Sequence, residues 1–292
     1  MKNDKTIRNL ILCIAFLSII ASAIGIFSKG GPGVNEITSF RGETIKLHGI
    51  GLYKNDSVSV AAQGIAQDIV TLFVGVPLLL LALYFTGKGF LKARLLLTGT
   101  LGYFLYTYIS YVFLWMYNPL FIVYVVLMST SFFAFTLSIL SIDMDRLSTS
   151  FDKKLPVKFL GGFQIFLAVA LCMMWLGKIA PTIMNNRVPV GLEHYTTLVI
   201  QGLDLGFIVP IAFLSGVFLM KRRPIGYLLS SVVIMKGFTM GIAITAMIIG
   251  QYIAGVKMGL ASVVIFLIFS LFVCFCMVIL LKNIKEDQKI IQ

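Results

Sequence analysis

Apolar residues run for about twenty positions at a stretch eight times along the chain, over 7–28, 68–87, 95–115, 120–140, 158–179, 197–219, 225–250 and 259–281. About 20 such residues cross the hydrocarbon core of a bilayer as a helix. The breaks between runs are polar or carry Pro and Gly, as in Met116-Tyr117-Asn118-Pro119 and Lys221-Arg222-Arg223-Pro224. No run alternates in the manner of a membrane β-strand. Inside lipid every backbone polar group needs a partner within its own segment, which a helix supplies. The pattern therefore predicts an all-α polytopic transmembrane helix bundle of eight spans, one domain over 1–292, with a long outer loop at 29–67. That loop opens with Gly30-Gly31-Pro32-Gly33, and its β-like pieces Thr44–His48 and Gly51–Lys54 precede a turn at Asn55-Asp56. It is long enough to cap the outer mouth.

Composition agrees with the pattern. Hydrophobic residues make up 59% of the chain and charged residues 12%, against about 25% charged in soluble domains. A cytosolic enzyme, a secreted disulfide scaffold and a nucleic-acid-binding domain are excluded, despite the net charge of +12. The excess of basic residues is explained by topology. With the N-terminus inside, sixteen Lys and Arg fall in inner segments: Lys2, Lys5, Arg8, Lys88, Lys92, Arg94, Arg146, Lys153, Lys154, Lys158, Lys221–Arg223, Lys282, Lys285 and Lys289. Seven fall outside (Lys29, Arg41, Lys46, Lys54, Lys178, Arg187 and Lys257), and Lys236 lies within a span. Positive residues concentrate on the cytoplasmic side, so both termini are expected there. A signal-peptide reading, with cleavage after Ala21-Ser22-Ala23, competes for the first span, but the apolar run continues through Ile24, Ile26 and Phe27 and outlasts the usual signal core. Cys13, Cys172, Cys274 and Cys276 all fall in spans and read as small apolar filler.

The first four and last four spans read as related halves, 1–140 and 158–281. Aligning Val76-Pro77 with Val209-Pro210 also matches Leu81 with Leu214, Phe85 with Phe218, and Lys88 with Lys221; Gln63-Gly64 resembles Gln201-Gly202 upstream. Each half begins inside, so such repeats would be parallel about an axis along the membrane normal, an arrangement common among transporters.

Charge within a span is costly and often functional. Asp204 lies roughly 10 Å below the outer surface and Lys236 roughly 16 Å above the inner one, at about 1.5 Å per helical residue. These depths nearly coincide, and the short turn between the sixth and seventh spans makes them neighbours. An Asp204–Lys236 ion pair is expected, with Gln201, Thr197 and Thr239 beside it; it serves either packing or the handling of a solute or proton. Asp68 opens the predicted second span with Gln63, Gln67 and Thr71 nearby, where helix capping competes with a place in an outer vestibule. The third span is aromatic, with Tyr103, Phe104, Tyr106, Tyr108, Tyr111, Phe113 and Trp115. Residues 104, 108, 111 and 115 share a face, and buried tyrosine hydroxyls need partners; the face reads as helix packing or as one wall of a ligand pocket. Glu193-His194-Tyr195 is the most chemically loaded outer segment. A metal site there would need Glu43 and His48 to converge on it to reach three or four ligands, so no metal and no cofactor are expected.

No phosphate-binding loop, nucleophile elbow or His-Glu-x-x-His occurs, and an enzyme is the least supported class. The runs Ala61–Asp68, Gly102–Tyr108, Tyr117–Phe121 and Leu192–Thr197, with Asp204 and Lys236, resemble a group of uncharacterised bacterial multi-pass membrane proteins. The resemblance spans most of the chain and implies a bacterial plasma-membrane location and a single domain. It implies no substrate. Two readings follow from the residues: a transporter of small solutes or coupled ions, with Asp204, Lys236, Gln201 and Asp68 in an inner polar cavity; or a non-catalytic sensor, assembly factor or partner subunit that meets a protein through loop 29–67.

Overall fold

The computed structural model describes residues 4–185 and 187–286. Eight helices are long and apolar enough to cross a membrane: α1 (Asp4–Phe27), α2 (Val58–Gly87), α3 (Leu91–Phe113), α4 (Phe121–Leu140), α5 (Val157–Met184), α6 (Val199–Met220), α7 (Pro224–Ile253) and α8 (Leu260–Lys282). The all-α multi-pass bundle read from the sequence is what the chain forms. Lys2, Lys289 and the end of the chain beyond residue 286 lie outside the described residues.

The largest boundary difference is at α2, which starts ten residues before the apolar run. Ser57 caps it, its side chain accepting from the Val60 N–H, so 58–67 is helix and the outer loop ends at Ser57. The mixed composition of 58–67 hid this, because Gln63 and Gln67 interrupt the apolar run without breaking helical geometry.

Two helices contain a widened turn. In α2 the turn spans Thr71–Gly75 and the Val76 N–H reaches the carbonyl of Thr71; in α6 it spans Asp204–Ile208 and the Val209 N–H reaches that of Asp204. Each sits directly before a Val-Pro pair. A proline inside a helix has no N–H to give and its ring collides with the carbonyl four residues back; a π-turn relieves the clash by moving that carbonyl away.

Within the first half α1 packs on α2, α3 on α2 and on α4, and α4 closes back on α1; in the second half α6 packs on α5 and α7, and α7 on α8. Phe163 and Phe272 bring α5 to α8, with ring centroids 4.8 Å apart. Across the halves α7 packs on α2 and α3. Glycines allow the tightest crossings: a Cβ on Gly99 would strike Met235, and Gly161 and Gly216 each lie against the other's carbonyl. Small residues at helix contacts let backbones approach where lipid offers no hydrophobic drive. Phe166, Met173, Ile265 and Leu271 remain exposed on the outside of the bundle, as lipid contact requires.

The outer loop folds into a small cap. Strands β1 (Asn35–Thr38) and β2 (Thr44–Leu47) pair antiparallel, Asn35 facing Leu47 and Thr38 facing Thr44. The expected β-like piece at Gly51–Lys54 is instead a short 3-10 turn over Gly51–Tyr53. The partner of β2, β1, falls outside the β-like pieces read from the sequence, since Asn35 and Glu36 are weak strand formers ahead of Ile37-Thr38.

Candidate functional site

The intramembrane polar residues form two separate clusters. The first lies inside the α1–α4 half, around Asp68. Its carboxylate is buried eleven residues into α2, whose cap is Ser57, so of the two sequence readings helix capping is corrected. Tyr53 donates to Oδ2 at 2.6 Å and Tyr111 to Oδ1 at 3.0 Å. Gly25 of α1 makes the room, since any Cβ there would overlap the carboxylate. Trp115 lies against Tyr111 at 4.5 Å between centroids, and Tyr124 meets Tyr111 edge-on at 5.0 Å. Tyr108 donates to Ser18 at 2.8 Å. The residue preceding Asp68, Gln67, donates to Tyr103 at 2.7 Å and to Thr107 at 2.9 Å, and Thr71, about one turn on, lies 2.9 Å from the Tyr103 hydroxyl. Among the described residues no Lys or Arg pairs with Asp68. Among the described residues Gln67 Oε1 and Trp115 Nε1 are buried without a hydrogen-bond partner, where buried polar atoms are nearly always satisfied.

The second cluster surrounds Asp204, the first residue of the widened turn in α6. Tyr106 of α3 donates to Oδ1 at 2.8 Å and Trp175 of α5 to Oδ2 at 2.9 Å. The Lys236 ammonium lies 4.0 Å from the centroid of the Tyr106 ring. The expected Asp204–Lys236 ion pair does not form; Tyr106 holds the anion at its hydroxyl and the cation over its face. A cation prefers the electron-rich face of an aromatic ring, and the stem of Lys236 passes beside Gly102 of α3. Tyr106 of α3 enters between the two charges, which helix order does not reveal.

Other expected members fall elsewhere. Gln63 donates back to Ser59 of its own helix at 3.3 Å. Gln201 is half-buried and bonds to no described side chain. Tyr103, Phe104, Tyr108 and Tyr111 are buried in the first half, whereas Phe113 and Tyr117 are exposed. The single polar cavity expected to hold Asp204, Lys236, Gln201 and Asp68 together is therefore divided. An apolar groove of about 660 Å³ lies between α3, α4 and α6, and a cavity of about 1150 Å³ opens at the face where Lys5 and Glu286 lie, the one read as inner; neither is lined by Asp68, Asp204 or Lys236.

The outer loops do converge. Arg41 donates to the carbonyls of Glu193 at 2.8 Å and Tyr195 at 2.9 Å, and His194 Nε2 is 3.0 Å from the Asn55 carbonyl. Asp56 joins three segments: its Oδ1 accepts from the Met116 N–H and from the Tyr195 hydroxyl, both at 3.0 Å, and that hydroxyl accepts from the Ser57 N–H at 3.2 Å. Burial pushes the Asp56 carboxyl up to about 7, and burial also holds His48 below the usual imidazole range. Among the described residues no three His, Cys, Asp or Glu side chains gather to hold a metal.

Sequence reasoning missed Tyr53, Trp175, Gly25, Asp56 and Gln164, the last bonded to Ser215 and Ser230 between α5, α6 and α7. Trp175 carried a readable signal: an indole N–H deep in a span needs an acceptor, and few are at hand. Comparison with protein-family models, curated proteins and solved structures finds no match, so the functional reading rests on this chain alone.

Proposed function

We propose that the chain is an ion-coupled transporter of small solutes in a bacterial plasma membrane, with both termini cytoplasmic and with Asp68 and Asp204 as the proton-accepting groups. The observation that carries this reading is the twinned widened turn, before Val76-Pro77 in α2 and before Val209-Pro210 in α6, each near a buried carboxylate held only by neutral donors. π-turns concentrate at functional sites, and interrupted helices at matching positions of two halves mark transporter sites. The packing order of the helices supports two halves, since α1–α2, α2–α3 and α3–α4 have counterparts in α5–α6, α6–α7 and α7–α8. Ionisable side chains inside spans are rare and mark proton and solute pathways, and reversible protonation of these two carboxylates would couple a solute to a proton gradient.

The test is a thermal-shift screen of amino acids, sugars, organic acids and inorganic ions on the purified protein, beside Asp204→Asn and Asp68→Asn, followed by flux into liposomes containing a pH dye. A stabilising solute that enters the wild type with protons, and at least about 10-fold more slowly in both folded variants, is the expected result. If no solute stabilises or moves, and the variants change stability alone, the transporter reading fails. The second reading, a partner subunit, is favoured by Val34 and Phe40, which are 62% and 72% exposed on the outer cap; recovery of one stoichiometric membrane partner, lost in Phe40→Ser, is its expected signature.

A further inference from the structure

The inner-face cavity is strongly basic. Lys5 and Arg8 of α1, Lys88 after α2, Arg94 of α3, Arg146 of the short helix Met144–Thr149 and Lys285 after α8 line it, against Asp143 and Glu286; Lys285 is paired with Asp152 at 3.4 Å. Both acids already serve backbone amides. Asp143 accepts from the N–H groups of Asp145 and Arg146, and Glu286 from those of Leu91 at 2.8 Å and Lys92 at 2.9 Å. The N-terminus of α3 is thereby filled by the chain's own carboxylate, and the attraction of the groove for anions rests on side-chain charge. Positive-inside bias alone does not explain the arrangement, because Lys153, Lys154, Lys221 and Arg222 are inner residues that do not line the groove. The folding instead gathers cations from five separate segments into one concavity. Arg94 is fixed there by donation to the Ser141 carbonyl at 2.8 Å. One wall continues outward as apolar surface: Leu12 is 48% exposed, Leu80 36% and Tyr84 56%, and the Lys88 ammonium lies 4.5 Å from the Tyr84 ring centroid.

A charged hollow beside a lipid-facing apolar wall matches a phosphate headgroup with attached acyl chains. Basic pockets between helices on the cytoplasmic side are suited to such headgroups. We propose that this groove binds an anionic phospholipid of the inner leaflet, its phosphate among Lys5, Arg8 and Lys88 and its chains along Leu12, Leu80 and Tyr84. The site is independent of the transport reading. The shared chemistry is a phosphate anion, and the apolar wall selects the lipid over a free phosphate.

The experiment is native mass spectrometry of the detergent-solubilised chain titrated with phosphatidylglycerol or phosphatidylcholine. Two variants of equal charge change are compared, Arg8→Gln with Lys88→Gln inside and Lys29→Gln with Lys54→Gln outside; all four residues are exposed, so folding is retained. The expected result is preference for phosphatidylglycerol in the wild type and the outer variant, and binding about 10-fold weaker in the inner variant. Equal retention of both lipids overturns the proposal. So does loss in both variants alike, or in neither. Inorganic phosphate in the millimolar range is expected to leave the lipid bound; if it displaces phosphatidylglycerol and protects the protein itself against heating, the groove takes a soluble phosphate and the lipid assignment falls.

Discussion

Tyr106 holds two opposite charges by two different parts of one ring. Its hydroxyl satisfies Asp204 and its face lies under Lys236, so the two contributions separate by substitution. Tyr106→Phe removes the donor and keeps the face, leaving a buried carboxylate oxygen unsatisfied at about 1–3 kcal/mol. Tyr106→Leu also removes the cation–π contact, for about 0.5–2 kcal/mol more. Thermal unfolding in detergent is expected to rank wild type above Phe above Leu; equal losses in the two variants would show that the ring face contributes nothing. Asp68 lacks any such cation, and its cage of phenols depends on Gly25, a residue with no chemistry of its own. Here a missing side chain decides where a charged one fits.

The elements that set the sites are the widened turns and the outer cap. Each widened turn follows from a proline in the helix interior, a local cause with a local effect. The cap is tertiary: Asp56 fastens the end of the hairpin loop to the α3–α4 turn and, through Tyr195, to the α5–α6 loop. Its carboxyl sits at about 7, raised by burial, above that of an unfolded aspartate near 4. The folded cap therefore binds the proton more tightly than the unfolded chain. Its stability is expected to be full at low pH and to fall as pH rises from about 4 through about 7, by up to about 4 kcal/mol at about 1.4 kcal/mol per unit. Amide exchange at Ser57 and Met116, corrected for intrinsic rates, should be faster at pH 8 than at pH 5.5. Asp56→Asn keeps the acceptor without the charge and should flatten the difference; a dependence that persists in that variant would assign it to another group.

At the scale of the whole molecule, an even number of spans leaves both ends of the chain on one side. The structure ties the C-terminal segment there, through Glu286 to the start of α3 and through the bridge between Phe151 and Ile284. The distribution of basic residues predicts that this side is cytoplasmic. In a background without the four native cysteines, Lys257→Cys is expected to react with an impermeant maleimide added to intact cells, and Lys153→Cys only after lysis. The reverse pattern would invert the orientation and with it the leaflet of the basic groove.

By itself the sequence determined the number of spans and their helical character, because the bilayer imposes a length and a hydrogen-bond rule on every segment separately. Such rules act locally and can be read one run at a time. Boundaries were legible where apolarity and helix end together, as at α4, and not at α2, where helix continues through polar residues into the cap. The partners of the charges were decided only by the tertiary structure. Asp204 meets Tyr106 and Trp175 rather than Lys236, and Asp68 meets Tyr53 from a loop fifteen residues away. These depend on which helix faces lie inward and on where glycine lets two backbones close up. In lipid every helix is apolar on all sides, so the amphipathic stripe that marks a buried face in water is absent, and the chain leaves its inward faces to be fixed by packing.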